Sequence, residues 1–237
     1  MSEQKQKNIT AVLVHAAWAD GSSWNKVTLE LQKRGFNVVA AQIPLTSFTE
    51  DVAVLRGVLR RQKEPVILAG HSYGGAVITA AGADDPNVKA LVYITAVVPD
   101  EGETVGHIFQ RAAPHPKAPH LQPDLDGFLW VSVEAFRNAI APEASSEETA
   151  LMAAAQKPIA LKCLGEPMGK PAWKEKPSWF LIAEEDRMVS PDTQRFTAKR
   201  MGSKVVSMPI DHTPLASHPD AVATLVEEAA ASVSAMV

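Results

Sequence analysis

The sequence predicts an α/β fold: a sheet of about six parallel strands with helices on both faces. Three observations carry that reading. Short apolar, β-branched runs recur without polar alternation, helix-compatible stretches separate them, and the strand and helix rhythm breaks only once along the chain. A strand that is apolar throughout is covered on both faces, which means a parallel sheet between helical layers.

In chain order the runs are ITAVLVH (9–15), NVVAAQ (37–42), PVILAG (65–70), VKALVYITA (88–96), SWFLIA (178–183) and KVVSMPI (204–210). Helix-compatible stretches lie near 23–34, 49–61, 73–83, 191–201 and 219–235. The break falls between Pro99 and Pro177, which enclose many prolines, no core strand, and two helix-compatible pieces near 132–140 and 145–157. A structureless loop of that length is uncommon inside a compact domain. Residues 99–177 are therefore expected to form an inserted cap on a core built from 1–98 and 178–237.

Composition removes several function classes. The 237 residues suffice for one large domain, which buries about 70% or more of its unfolded surface. With 23 basic and 27 acidic residues the net charge is -4, whereas a nucleic-acid surface requires a basic excess. The single cysteine, Cys163, can form no internal disulfide, and no Cys/His spacing suits structural zinc. His107, His115 and His120 share a Pro-rich stretch at spacings unlike a helical metal pair, so they read as loop residues, and neither metal nor cofactor is expected. The polar start MSEQKQKNIT lacks the apolar segment of a signal peptide, and no apolar run approaches the ~20 residues of a membrane span. A cytoplasmic protein with no membrane partner and no nucleic-acid partner is expected, its oligomeric state open and a homodimer among the options.

Chemistry enters with VILAGHSYGGAVITAAGA (66–83). A serine before a helix is often only a cap, its oxygen accepting from an orphan backbone N–H. Here G-H-S-Y-G (70–74) matches G-x-S-x-G directly after an apolar strand and directly before a helix, where a strained turn lifts the Ser72 hydroxyl clear of the sheet. Gly70 and Gly74 leave room for that turn. A serine hydroxyl is a weak nucleophile at neutral pH and needs a histidine to take its proton and a carboxylate to orient the histidine. EEDRMVSPD follows the fifth run and IDHTPLASHPDAV closes the last, so Asp186 and His212 stand at the carboxyl ends of later strands, in the order Ser, Asp, His. Glu184, Glu185, Asp192 and Asp100 compete as the acid and His218 as the base. Asp192 in SPD and His218 before Pro219 read better as helix-start residues. An oxyanion needs backbone N–H donors. Tyr73 offers one, and HAAW (15–18) the other, from Ala17 first and Ala16 next, because the first and third strands meet at the switch point of such a sheet.

In that order, VLVHAAWADGSSW, GHSYGG, EEDRMVSP and DHTPLASHP make the chain resemble the α/β-hydrolase-fold serine hydrolases, in the branch of bacterial carboxylesterases, plant methyl-ester esterases and hydroxynitrile lyases. The resemblance implies an α/β-hydrolase fold that starts at the first central strand, a cofactor-independent carboxylesterase, an acyl-enzyme on Ser72, and a small-molecule ester as substrate. Many members carry His-Gly where this chain has His15 and Ala16, so a methyl is expected beside the oxyanion hole, narrowing the substrate range. The lyases carry a lysine after the catalytic histidine and a threonine in the His-Gly position, where this chain has Thr213 and Ala16, which favours ester hydrolysis. Rival uses of the same residues are cyanohydrin cleavage, lactone or amide hydrolysis and perhydrolysis, and a non-catalytic ligand sensor is the rival from another class. Epoxide hydrolases and haloalkane dehalogenases need an aspartate where Ser72 stands. Ala16, Trp18, Phe128 and Trp130 are the expected pocket residues, suited to small or medium hydrophobic esters.

Overall fold

A computed structural model describes residues 8–234; residues 1–7 of the polar N-terminal stretch, and 235–237 at the end of the last expected helix, lie outside the described residues. The strands are β1 (Thr10–Val14), β2 (Asn37–Ala41), β3 (Val66–His71), β4 (Val88–Ile94), β5 (Phe128–Leu129), β6 (Ile159–Ala160), β7 (Ser178–Ala183) and β8 (Lys204–Met208). Six of them form one sheet in the order β2-β1-β3-β4-β7-β8, every pair parallel. The order reverses at β1 and β3, which lie side by side with Leu13 opposite Ala69. Loops leaving the carboxyl ends of these two strands therefore converge.

The helices are α1 (Asn25–Lys33), α2 (Phe48–Leu59), α3 (Tyr73–Ala81), α4 (Val105–Phe109), α5 (Val133–Ala135), α6 (Ser146–Ala154), α7 (Lys162–Gly165), α8 (Pro191–Met201), α9 (Pro214–Ser217) and α10 (Pro219–Ser234). Alternate residues of each central strand feed two cores. Val12, Val14, Leu68, Tyr93 and Phe180 pack with α2, α3 and α8, while Leu13, Ile67, Val92 and Leu181 pack with α1 and α10. Burial on both faces explains why β1, β3 and β7 read as unbroken apolar runs. β8 departs from that pattern: it is an edge strand, and Val205 and Val206 are exposed. The run expected over 88–96 ends at Ile94, because Thr95 turns to φ +44°. No helix among the described residues is long and apolar enough to cross a membrane.

Residues 99–177 contain α4 to α7, a π-helical turn at Phe136–Ile140, and a two-residue antiparallel ladder of β5 with β6. Val105, Ile108, Leu129, Ile159, Cys163 and Met168 from this interval belong to the same apolar cluster as α2 and α3. A second small cluster, Val131, Ala135, Phe136, Ile140 and Ala153, is internal to the interval. Hydrogen bonds tie it down as well, Ala160 N–H donating to Leu45 O at 2.9 Å and Glu143 N–H to Asp211 Oδ2 at 3.0 Å.

Candidate active site

Ser72 follows β3 and opens α3 with φ +50° and ψ −118°, a backbone state that costs a non-glycine residue on the order of 1–3 kcal/mol. Its neighbours hold it there. Ser72 N–H donates to Ile94 O at 3.0 Å, and Ser72 O accepts from Gly75 N–H at 2.9 Å and Val97 N–H at 3.1 Å. The turn also requires missing side chains: a Cβ on Gly70 would stand 2.5 Å from Gly74 O, and one on Gly74 would stand 2.6 Å from Val14 O. Although Ser72 occupies the N-cap position of α3, its side chain makes no capping bond. The hydroxyl is thus left uncommitted at a position only 4% exposed.

Asp186 and His212 meet beside it. His212 Nδ1 lies 2.7 Å from Asp186 Oδ2; a carboxylate only accepts, so Nδ1 is the donor, and in the neutral ring Nε2 is then the acceptor. Three further donors fix the buried carboxylate, Met188 N–H at 2.8 Å and Val189 N–H at 2.9 Å on Oδ1, and Gln194 Nε2 at 2.8 Å on Oδ2. Gln194 is itself clamped, donating to Val189 O and accepting from Ala183 N–H. The His212 carbonyl accepts from His71 Nε2 at 2.7 Å and Thr95 Oγ1 at 3.3 Å. Burial lowers the His71 pKa to about 3, so the ring is neutral.

The competing groups are engaged elsewhere. Glu184 pairs with Arg195 and Ser207, Asp192 with Arg195, and Asp100 with Lys174 at 2.7 Å. Glu185 is exposed. His218 bonds Ser217 Oγ, His107 joins the Thr104 cap of α4, and His115 and His120 bond Lys117 N–H and Gln122.

Two backbone N–H groups are oriented by what holds the carbonyls before them. His15 Nε2 accepts from Ile43 N–H at 3.2 Å, which places the ring proton on Nδ1, and Nδ1 donates to Ala16 O at 2.8 Å. Burial lowers the His15 pKa to about 4 and so preserves this neutral tautomer. In a planar trans peptide the C=O and N–H point in opposite directions. Tying Ala16 O to His15 turns Ala17 N–H the other way, and the hold of Gly75 and Val97 on Ser72 O does the same for Tyr73 N–H. Among the described residues neither N–H has a backbone partner. Ala16 is not at positive φ, so the backbone accepts a methyl where a glycine is common.

A cavity of about 150 Å³ opens on this group, lined by Ala16, Ala17, Trp18, His71, Ser72 and His212 with Phe136 and Ile140. A second, of about 170 Å³, is also lined by Ala17, Trp18, Ser72 and His212, together with Tyr73, Phe109 and Ile159. Of the expected pocket residues, Ala16 and Trp18 border these cavities. Phe128 and Trp130 are corrected, since neither lines them: Phe128 packs against the core cluster, and Trp130 is 51% exposed, with its indole N–H on Asp124, and lines a separate surface cavity. The β5 segment turns its backbone inward instead, Leu129 O accepting from Trp18 Nε1 at 2.9 Å.

Sequence reading missed Asp51, whose buried carboxylate accepts from the Tyr73 hydroxyl at 2.6 Å and Leu45 N–H at 2.7 Å. Desolvation raises its pKa. It also missed the support given by Gln194, His71 and Thr95. An acidic residue in the first turn of a helix reads as dipole compensation, and nothing in its spacing marked Asp51 as a buried partner.

Residues 11–225 match the alpha/beta hydrolase family model. A carbendazim hydrolyzing esterase from Nocardioides sp. is 32% identical over 118 residues, a match spanning 44% of this chain and less than half, 48%, of that protein. A pyrethroid hydrolase from Sphingobium wenxiniae is 26% identical over 92% of this chain and 86% of its own. The solved structure of polyneuridine aldehyde esterase has the same fold, with a TM-score of 0.81 at 17% identity, covering 93% of this chain and 98% of that one. With the family model taking in nearly the whole chain and a parallel sheet whose order reverses beside the strand-to-helix turn at Ser72, the chain belongs to the alpha/beta hydrolase family.

Proposed function

We propose that this chain is a serine hydrolase that cleaves carboxylic esters through an acyl-enzyme on Ser72. The observation that carries the reading is the 2.7 Å bond from His212 to Asp186 beside a serine held at φ +50° whose hydroxyl caps nothing. The esterase and hydrolase names of the relatives support the ester class.

His212 Nε2 takes the Ser72 proton as Oγ bonds the carbonyl carbon. The carbonyl electron pair moves onto its oxygen, where Ala17 N–H and Tyr73 N–H donate; each such donor is worth about 3–4 kcal/mol in the transition state. The bond to the alcohol oxygen breaks, and Nε2 returns its proton to that oxygen. A water then gives a proton to Nε2 while its oxygen bonds the acyl carbon. The Ser72 ester bond breaks, and Ser72 recovers the proton. Asp186 orients the imidazole throughout, and the chain's own side chains and backbone N–H groups, with one water, supply every group.

Hydrolysis of p-nitrophenyl acetate by the wild type and by Ser72→Ala tests the reading, with mandelonitrile assayed beside it. The expected outcome is ester turnover that falls at least about a thousandfold in Ser72→Ala, with no cyanide released from mandelonitrile. Unchanged ester turnover in Ser72→Ala overturns the mechanism.

A further inference from the structure

The two cavities share only Ala17, Trp18, Ser72 and His212. Beyond these their apolar walls come from different parts of the chain, Phe136, Ile140, Met152 and Ala155 on one side, and Phe109, Leu121, Ile159 and Leu164 on the other. At about 150 and about 170 Å³, each has the size of a cavity that takes a single benzene ring. Trp18 borders both. Its place is fixed, since the residue is held at φ +56° and its indole N–H is bonded to Leu129 O at 2.9 Å.

The chemistry of the walls narrows the substrate further. Among the described residues no lysine or arginine lines either cavity, and none offers a cation to a carboxylate or phosphate. The one acid, Asp20 in the first cavity, is already engaged by the N–H and hydroxyl of Ser22. An ester attacked at its carbonyl carbon sends its acyl and alcohol halves away from one tetrahedral centre in different directions. Two apolar chambers meeting at one nucleophile match that divergence.

Resting on the ester-hydrolase reading, we propose that the substrates are uncharged esters carrying a ring-sized apolar group on each half, one seated in each cavity, with Trp18 as the partition. Four esters separate the halves: methyl acetate, methyl benzoate, benzyl acetate and benzyl benzoate. Burying one ring-sized group is worth roughly tenfold or more, so benzyl benzoate should exceed each single-ring ester at least about tenfold in kcat/KM. Ala155→Phe fills the first cavity and Leu164→Trp the second. They should shift the ratio of methyl benzoate to benzyl acetate turnover in opposite directions. Calorimetric binding to Ser72→Ala, which should hold esters without cleaving them, should rank benzyl benzoate about tenfold tighter than either single-ring ester.

Benzyl benzoate no better than the better single-ring ester, in turnover and in binding, overturns the partition. So does a shift of the ratio in the same direction by both variants. Tight two-ring binding to Ser72→Ala with no turnover of any ester by the wild type supports the paired cavities and overturns the hydrolase reading instead. If a variant fails to fold, the wild-type series and the binding ranking decide by themselves.

Discussion

His15 shows how much one buried side chain can arrange. It receives Ile43 N–H on one nitrogen and donates to Ala16 O from the other, and through that carbonyl it aims Ala17 N–H. His15→Leu removes both bonds, so kcat should fall about ten- to a hundredfold, short of the loss of a whole oxyanion donor, with KM little changed. His15→Asn keeps a donor near the Nδ1 position and should recover part of the loss; steady-state kinetics on p-nitrophenyl acetate would measure both. The same ring sets a pH dependence. His15 and His71 have folded pKa values of about 4 and about 3, against about 6.5 in an unfolded chain. Between those values the unfolded chain binds more protons, so stability is complete above pH 6.5, falls as pH drops, and stops falling through these groups below about pH 3. The His15 contribution is on the order of 3 kcal/mol. Urea unfolding at pH 7 and pH 4 should show the decline, and His15→Asn should flatten it. Ser72, Asp186 and His212 were legible as residues because the chemistry demands those types at strand ends. The tautomer of His15 was not, because it depends on an amide 28 positions away.

At the level of elements, the strand-to-helix turn between β3 and α3 works because β1 runs against it. A Cβ on Gly74 would stand 2.6 Å from Val14 O and 2.7 Å from His15 O, both backbone atoms that cannot swing aside. Gly74→Ala should therefore push α3 off β1, destabilising the fold by roughly 1–3 kcal/mol and lowering kcat, since Tyr73 N–H and Ala17 N–H sit on the two parts forced apart. Urea midpoints with kcat on the same samples check both effects. Central strands were legible from their unbroken apolar runs. The β5 and β6 ladder is two residues per strand, too short for any period, and β8 keeps its valines exposed because an edge strand has one neighbour only. The helices expected near 132–140 and 145–157 correspond to α5 with its π turn and to α6.

Across the whole molecule, the interval 99–177 shares one apolar cluster with α2 and α3. Removing it would uncover α2 and α3, which α7 and residues 172–174 contact. A chain lacking 99–177 should be unable to fold as an isolated core, and the full chain should unfold in a single transition, with near-UV and far-UV circular dichroism losing signal together. Two separated transitions would show an independently stable interval. By itself the sequence determined the parallel sheet and the placement of Ser72, Asp186 and His212 in chain order, because apolar periodicity and residue chemistry are local properties. Only the tertiary structure decided that Trp130 faces outward while Trp18 borders two cavities, that Gln194 and His71 brace the Asp186 and His212 pair, and that Asp51 lies beneath Tyr73. Each of those contacts joins residues from separate elements, and their distance in space is fixed by how helices pack on the sheet rather than by any spacing along the chain.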